Sequence, residues 1–313
     1  MKKILRLLAA VLAPVLLLSG CQLPEDAAAL NPRTNSSTAS EATASAAALQ
    51  KKASIWYFDV GQGDSELLQL PDGKTVLIDS GTSESAKGLV KLLKGLNISK
   101  LDIVIATHPH ADHIGGMLQV LRNFEIGQYV MPRVADDDVP TTKLYTNLLK
   151  EMKKKKITAT QAKAGLTLLN ESGCSITLLA PKKAQYTKLN NYSAVAMVTI
   201  GAKKFLFTGD AEKESEQEMV KSGVSLHADV LKCGHHGSKT STTTAFLKAV
   251  SPTAAVISCG RGNDYGFPAP QTLSHLKSAG VKIYRTDEQK TICAQTDGKT
   301  ISFETGLASA THT

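Results

Sequence analysis

Thr107-His108-Pro109-His110-Ala111-Asp112-His113-Ile114-Gly115-Gly116 decides how this chain is read. It follows Leu101-Asp102-Ile103-Val104-Ile105-Ala106, a largely apolar run of the length and β-branched content of a buried strand. Three histidines and one aspartate therefore fall within six residues, where a strand gives way to a loop. Imidazole and carboxylate are the usual nitrogen and oxygen ligands of zinc, and both also suit manganese or iron. Donors at this spacing can hold two ions rather than one. Gly115-Gly116 would let the backbone turn tightly and start a helix beside them. A histidine-rich loop that merely faces water would show the same six residues, so the rest of the chain must supply further ligands.

It offers three places. Asp79, Asp210 and the pair His235-His236 each follow a β-rich apolar run. If those strands lie side by side, their ends meet at one edge of a sheet. A carboxylate such as Asp210 can bridge two cations, because each oxygen can bind one. The competing role for Asp210 is a helix N-cap, since Ala211-Glu212-Lys213-Glu214 is a good capping context. Beside the histidine cluster the ligand role is expected. Two ions about 3.5–4 Å apart lower the pKa of a shared water and neutralise charge on an attacked group. No Ser or Cys nucleophile is then needed.

Working outward, the folded part is expected to begin at Ser54-Ile55-Trp56-Tyr57-Phe58-Asp59-Val60, an aromatic and β-branched strand. A hairpin at 66–70 and 75–78 follows around Pro71-Asp72-Gly73. Helices are expected at 84–95, from 116 to 123, and at 141–155, 212–222, 242–250 and 270–279. Strands are expected at 129–131, 157–161, 166–169, 174–179, 194–200, 203–208, 229–233, 254–258, 282–285, 291–295 and 300–304. This order predicts two packed sheets with helices outside. The lysine run 153–156 suits a solvated helix C-terminus, with a polyphosphate contact as the sharper alternative. Of five cysteines, four are read as small buried thiols, since no CxxC pair exists. His227 and His275 are assigned to the surface and His312 to a loose tail.

Residues 1–21 have the form of a targeting segment: a basic start at Lys2, Lys3 and Arg6, then an apolar stretch, Leu7 to Leu18, too short for a comfortable membrane span. Leu18-Ser19-Gly20-Cys21 resembles the lipobox of bacterial lipoproteins. Acylated Cys21 would tether the chain to the outer face of the cytoplasmic membrane, the only membrane contact expected. An ordinary signal peptide or an uncleaved anchor, with Cys21 incidental, is the alternative. Residues 22–53 are rich in Ala, Ser and Thr and read as a flexible linker, with a frayed helix possible over 42–49. The remaining domain is 54–313. The formal net charge is +8, part of it in the removable segment. That allows an anionic substrate without arguing for one.

His108-x-His110-x-Asp112-His113 resembles the signature of the metallo-β-lactamase fold. Asp59-Val60-Gly61-Gln62-Gly63-Asp64, Leu77-Ile78-Asp79-Ser80-Gly81, Thr208-Gly209-Asp210, Ala228-Asp229-Val230-Leu231-Lys232, His235-His236-Gly237-Ser238 and Asn263-x-Tyr265-Gly266 are similar to the extracellular hydrolase domain of the ComEC competence proteins. The likeness runs over residues 54–304. It implies an α/β fold, the αββα sandwich of two mixed sheets flanked by helices, with two divalent ions, zinc or manganese, at one edge. His108 and His110 would hold one ion, Asp112 and His113 the other, with Asp210 bridging. His236 would complete the second ion and His235 would face the substrate, although their order could be reversed. Asp112 and His235 are the candidate catalytic groups. Asp79, Asp59 and Asp64 would support the ligands, with turn formation the alternative for the latter two. Ser238, Lys239, Asn263 and Tyr265 would touch substrate.

The chain departs from that family twice. Many members supply another histidine between the first cluster and the bridging aspartate, and here none lies between His113 and His227. The ComEC-like branch tends to have an asparagine there, near Asn190-Asn191, so the first ion would be held by fewer groups. Where the branch has Tyr-Gly-His-Pro, this chain has Tyr265-Gly266-Phe267-Pro268. No apolar stretch after residue 21 is long enough to span a bilayer, so the channel part of ComEC is not expected. The expected function is a lipid-anchored extracellular metallohydrolase attacking a phosphodiester in DNA or in a cell-wall polymer such as choline-decorated teichoic acid. Alternatives are a lactone or β-lactam hydrolase and a DNA-capturing lipoprotein without turnover. Nothing in the sequence points to a protein partner.

Overall fold

The computed structural model describes residues 52–311. Cys21, the 22–51 part of the linker and His312 lie outside the described residues. The first sheet contains β1 (Ala53–Tyr57), β2 (Glu66–Gln69), β3 (Thr75–Ile78), β4 (Lys100–Ile105), β5 (Glu125–Pro132) and β6 (Ala159–Ala162). The second contains β7 (Thr167–Glu171), β8 (Cys174–Ala180), β9 (Val195–Ile200), β10 (Lys203–Phe207), β11 (Val230–Lys232), β12 (Ala254–Ile257) and β13 (Lys282–Arg285). The chain then returns to the first sheet as β14 (Thr291–Thr296) and β15 (Ile301–Leu307), giving the order β15-β14-β1-β2-β3-β4-β5-β6. The second sheet has the order β13-β12-β11-β10-β9-β8-β7. Both sheets are mixed: β3 to β6 and β10 to β13 run parallel, and the remaining pairs are antiparallel.

Helices cover both outer faces. α1 (Ala86–Gly95), α2 (Ala111–Ile114), α3 (Met117–Asn123) and α4 (Lys143–Lys154) lie within the first half of the chain. α5 (Lys213–Lys221), α6 (Thr244–Val250), α7 (Pro270–Ser278) and α8 (Thr286–Gln289) follow. The expected αββα sandwich is what forms. Alternation along each central strand explains it, because successive side chains leave opposite faces. Phe205 and Phe207 enter the layer between the sheets, whereas Leu206 turns outward under α5 to α7. Val76 and Ile78 do the same in the first sheet, with Leu77 facing Leu89 and Leu93 of α1. Truncating one such buried aromatic to alanine costs on the order of 3–5 kcal/mol.

Several boundaries differ from the sequence reading. β1 ends at Tyr57 rather than 60, because the chain leaves the ladder at Asp59, whose N donates to Thr291 Oγ1 and whose Oδ1 accepts from Gly61 N. β5 starts at Glu125, well before 129, since its polar first half hid the alternation. The strand expected at 157–161 is Ala159–Ala162, and α2 and α8 were not expected. Nor was the return of β14 to β1, a pairing of Ala53 with Thr296 that no local pattern reveals. Lys153 to Lys156 are exposed at the end of α4, in the favourable place for cations. Cys174, Cys233, Cys259 and Cys293 are buried free thiols. His227 is exposed and His275 half-buried.

Candidate metal centre

The ends of β3, β4, β10 and β11 meet at one edge of the sandwich, and each delivers a polar side chain just beyond its last residue. Asp79 follows β3 and ties both ends of the histidine loop. Its carboxylate accepts from Thr107 N at 2.8 Å and Thr107 Oγ1 at 2.6 Å, and lies 2.7 Å from His113 Nδ1. Asp79 itself takes a positive φ of 55°, a conformation non-glycine residues adopt only under constraint. Gly115 and Gly116 were expected to supply a tight turn. Their backbone is instead helical. A Cβ on Gly115 would collide with Ser83 N and one on Gly116 with Ser80 O. Glycine is needed there for close packing under the Asp79 loop.

Two groups of donors share Asp210. Asp112, His113, Asp210 and His236 place one ligand atom each within 4.8 Å of one another, as do His108, His110 and Asp210. In the first group His113 Nε2 stands 3.2 Å from Asp210 Oδ1, and His236 Nε2 stands 3.1 Å from Asp112 Oδ2 and 3.6 Å from Asp210 Oδ1. In the second, His108 Nε2 and His110 Nδ1 are 2.9 Å apart. Ring orientation follows from the opposite nitrogens. His236 Nδ1 faces Ser258 O at 3.0 Å and Asp64 Oδ1 at 3.1 Å, and His108 Nδ1 faces Thr107 Oγ1 at 3.1 Å. Each Nε2 is thereby turned inward, the arrangement metal-bound imidazoles adopt. His113 Nε2 and Asp210 Oδ1 are buried with no hydrogen-bond partner, their mutual approach being out of line. Buried polar atoms are rarely left so. A divalent cation between them would satisfy both, so the donor set fits a metal.

Charge in the centre is uneven. Burial opposes ionisation of Asp210, but His113 and His236 hold its carboxyl well below the usual range. Burial likewise opposes a proton on His236, yet Asp210 and Asp64 raise it to about 10. His113 is raised well above its ordinary value for the same reason, with Asp210 and Asp79 outweighing burial. His108 moves the other way, lowered well below the ordinary value by burial and by His113. His110 is also lowered by burial.

His235 and His236 both have positive φ, 51° and 54°. The strain turns the two rings apart. His236 is buried in the donor group, while His235 lines the cleft above it, its Nε2 3.8 Å from Asp210 Oδ2. His235 Nδ1 lies 3.3 Å from Glu212 Oε1 and 3.2 Å from Thr240 Oγ1. The cleft holds about 300 Å³ and is also lined by Gln62, His110, Asp112, Asn190, Tyr265 and Phe267. Asp210 does not cap α5: Asn191 Oδ1 accepts from Glu212 N at 3.0 Å and Ser215 N at 3.4 Å instead.

Other candidates land elsewhere. Asp64 is buried against Lys232, 2.6 Å away, as well as against His236. Asp59 is not brought to the centre. It accepts from Gly61 N at 3.2 Å and Ser309 Oγ at 2.7 Å, so it shapes its own turn and anchors the C-terminal segment. Asn263 is not on the cleft wall either, because its amide is consumed inside its loop by Gly260 O and Phe267 O. Ser238 is buried and bonds to Thr240, and Lys239 is exposed, outside the cleft lining. Tyr265 does line the cleft, 70% exposed. Gln62, Phe267, Asn190 and Glu212 were missed as site residues. The sequence named the first three only as motif or departure, and Glu212 only as helix context.

Two mixed sheets enclosed by helices, with a histidine and aspartate cluster at one edge, define a class, and comparison of the sequence agrees. The chain belongs to the metallo-beta-lactamase superfamily, which it matches over residues 58–261. It is similar to ComE operon protein 3 of Bacillus subtilis, 31% identical over 261 residues, 78% of this chain and 33% of that protein. Competence protein ComA of Neisseria gonorrhoeae is 30% identical over 240 residues, 76% of this chain and 31% of that protein. The chain thus spans about a third of the length of these relatives. A novel metallo hydrolase from Ignicoccus hospitalis superposes with a TM-score of 0.49 at 17% identity, over 78% of this chain and 98% of that one. Among the described residues no helix is long and apolar enough to cross a membrane.

Proposed function

We propose that the protein is a dinuclear metal-dependent phosphodiesterase acting on nucleic acid outside the cytoplasmic membrane, tethered there through acylated Cys21. The carrying observation is the sharing of Asp210 by two donor groups, with His113 Nε2 and Asp210 Oδ1 buried and unpartnered between them. His108, His110 and Asp210 would hold one ion; Asp112, His113, His236 and Asp210 the other. Divalent cations there supply Lewis acidity, which acidifies a water and neutralises charge on the phosphate. His235 stands on the open side. Glu212 beside Nδ1 orients its ring, so that Nε2 faces the cleft and would give a proton to the departing oxygen as the P–O bond breaks. Asp112 anchors His236 and closes the other side. Likeness to the competence proteins supports a nucleic-acid substrate.

The full chain, loaded with zinc or manganese and checked by elemental analysis, should hydrolyse bis-p-nitrophenyl phosphate. Asp112→Ala and Asp210→Ala should abolish this. Hydrolysis of a lactone or nitrocefin with no phosphodiester turnover would reject the assignment. Salt-sensitive DNA binding without turnover would reject catalysis.

A further inference from the structure

A second cleft, of about 500 Å³, opens on the same edge of the sandwich and is not part of the metal centre. Arg133 follows β5, Lys163 follows β6 and Lys182 follows β8; all three line it, with Gln161 and Gln185 between them. Its charges are largely unanswered. Lys183, also on the wall, is held by Glu214 at 2.9 Å and Glu218 at 2.5 Å. Arg133 lies 3.7 Å from Asp136, the one carboxylate in the lining, but both are mostly in water, where such a contact counts for little. Lys163 and Lys182 have no carboxylate partner among the described residues. Arginine and lysine with free donors, set in a concave wall beside amide side chains, suit phosphate.

The cleft is rigidly joined to the metal centre. Val134, Tyr186 and Tyr192 pack together. Tyr192 Oη donates to Asp138 Oδ2 at 2.8 Å and accepts from Tyr186 N at 3.2 Å. The turn Leu189–Tyr192 in this lock carries Asn190 into the metal cleft. Along the second sheet β8 and β10 are two strand spacings, roughly 10 Å, apart, and Lys182 and Asp210 follow them on the same edge. On the far side of Asp210, beyond β12, Tyr265 stacks on Phe267 with centroids 5.6 Å apart and planes 16° from parallel. An aromatic face, then a metal centre, then a cationic cleft is the order a single nucleic-acid strand requires: a base to stack, a phosphate to cleave, a backbone to hold. A poly(glycerol phosphate) chain has no ring for the aromatic pair.

We propose that the Arg133–Lys163–Lys182 cleft is a second phosphate subsite, which grips the backbone of a single-stranded nucleic acid whose neighbouring phosphate lies at Asp210. This rests on the phosphodiesterase reading, but its test does not. In fluorescence anisotropy with the full chain and phosphorothioate-linked dT20, the triple variant Arg133→Ala, Lys163→Ala, Lys182→Ala should bind at least ten-fold more weakly. Its plot of log affinity against log salt should flatten by about 2. Tyr265→Ala should weaken binding separately, without changing that slope. Cleavage of the phosphodiester-linked oligonucleotide by the triple variant should fall at least ten-fold further than cleavage of bis-p-nitrophenyl phosphate, which cannot reach the cleft. No oligonucleotide binding by the natural chain, or unchanged affinity and slope in the triple variant, overturns the subsite. Equal competition by poly(glycerol phosphate), with Tyr265→Ala without effect, overturns its assignment to nucleic acid. If bis-p-nitrophenyl phosphate is never hydrolysed, the proposed catalysis fails while the binding result still judges the cleft.

Discussion

The two donor groups around Asp210 are built differently. Asp112, His113 and His236 lie on one side, and both imidazoles are backed by buried carboxylates, Asp79 behind His113 and Asp64 behind His236. His108 and His110 lie on the other side, where His108 is backed by the hydroxyls of Thr107 and Ser193 at 3.1 and 3.4 Å. A carboxylate raises the basicity of the ring it touches far more than a hydroxyl does. The first group is therefore a tight, charged pocket. The second has neutral imidazoles, His108 and His110, around the shared Asp210. One fold edge thus carries a site expected to retain its ion and a site expected to exchange it.

The largest effect should come from removing what the two groups share. Asp210→Ala should empty both and lower turnover by at least ~10³-fold, read by elemental analysis and bis-p-nitrophenyl phosphate hydrolysis. If one ion remains at full occupancy, the groups do not depend on a common carboxylate. Asp64→Asn should act next most strongly, and on the tight group's foundation. It leaves the Lys232 charge buried without its partner, at a cost of ~3–5 kcal/mol in denaturant unfolding. Asp79→Asn should reduce affinity for one ion by ~10–100-fold and spare the other. A competitive chelator titration would show a single step moved, and two equal shifts would erase the distinction between the groups.

The smallest effect is one of pH, and its sign separates the two groups. His108 and His110, pushed down, are neutral at pH 7, so filling their group should release no proton from them. His113 and His236 carry protons there, His236 up to about 10. Filling the tight group should release protons and weaken up to about ten-fold per proton for each pH unit lost. Titration calorimetry in two buffers of different ionisation enthalpy measures this. Without metal the sign reverses. The stability drawn from the His236 charge is complete below ~6.5 and is lost as pH rises toward about 10.

The donors themselves were legible, because imidazoles and carboxylates crowded at the ends of apolar runs have few other uses. His108, His110, Asp112, His113, Asp210 and His236 gather as their spacing implied. The supporting cast was much less legible. Asp59 and Asp64 stand at the two ends of one motif, yet Asp64 faces His236 and Asp59 turns back on its own loop. Asn263 has its amide spent on local backbone, and Ser238 is closed off by Thr240. Which way such a side chain turns depends on partners far away in the chain.

By itself, then, the sequence determined the sandwich and the residues that could serve as metal donors, since hydrophobic alternation and ligand chemistry are local properties written into residue type and spacing. Only the tertiary structure decided that His236 rather than His235 enters the donor group, that Lys232 answers Asp64 across 168 residues, that β14 closes the first sheet against β1, and that Arg133, Lys163 and Lys182 share a cleft. Each of those depends on contacts between segments remote in sequence, fixed when the two sheets pack and not before.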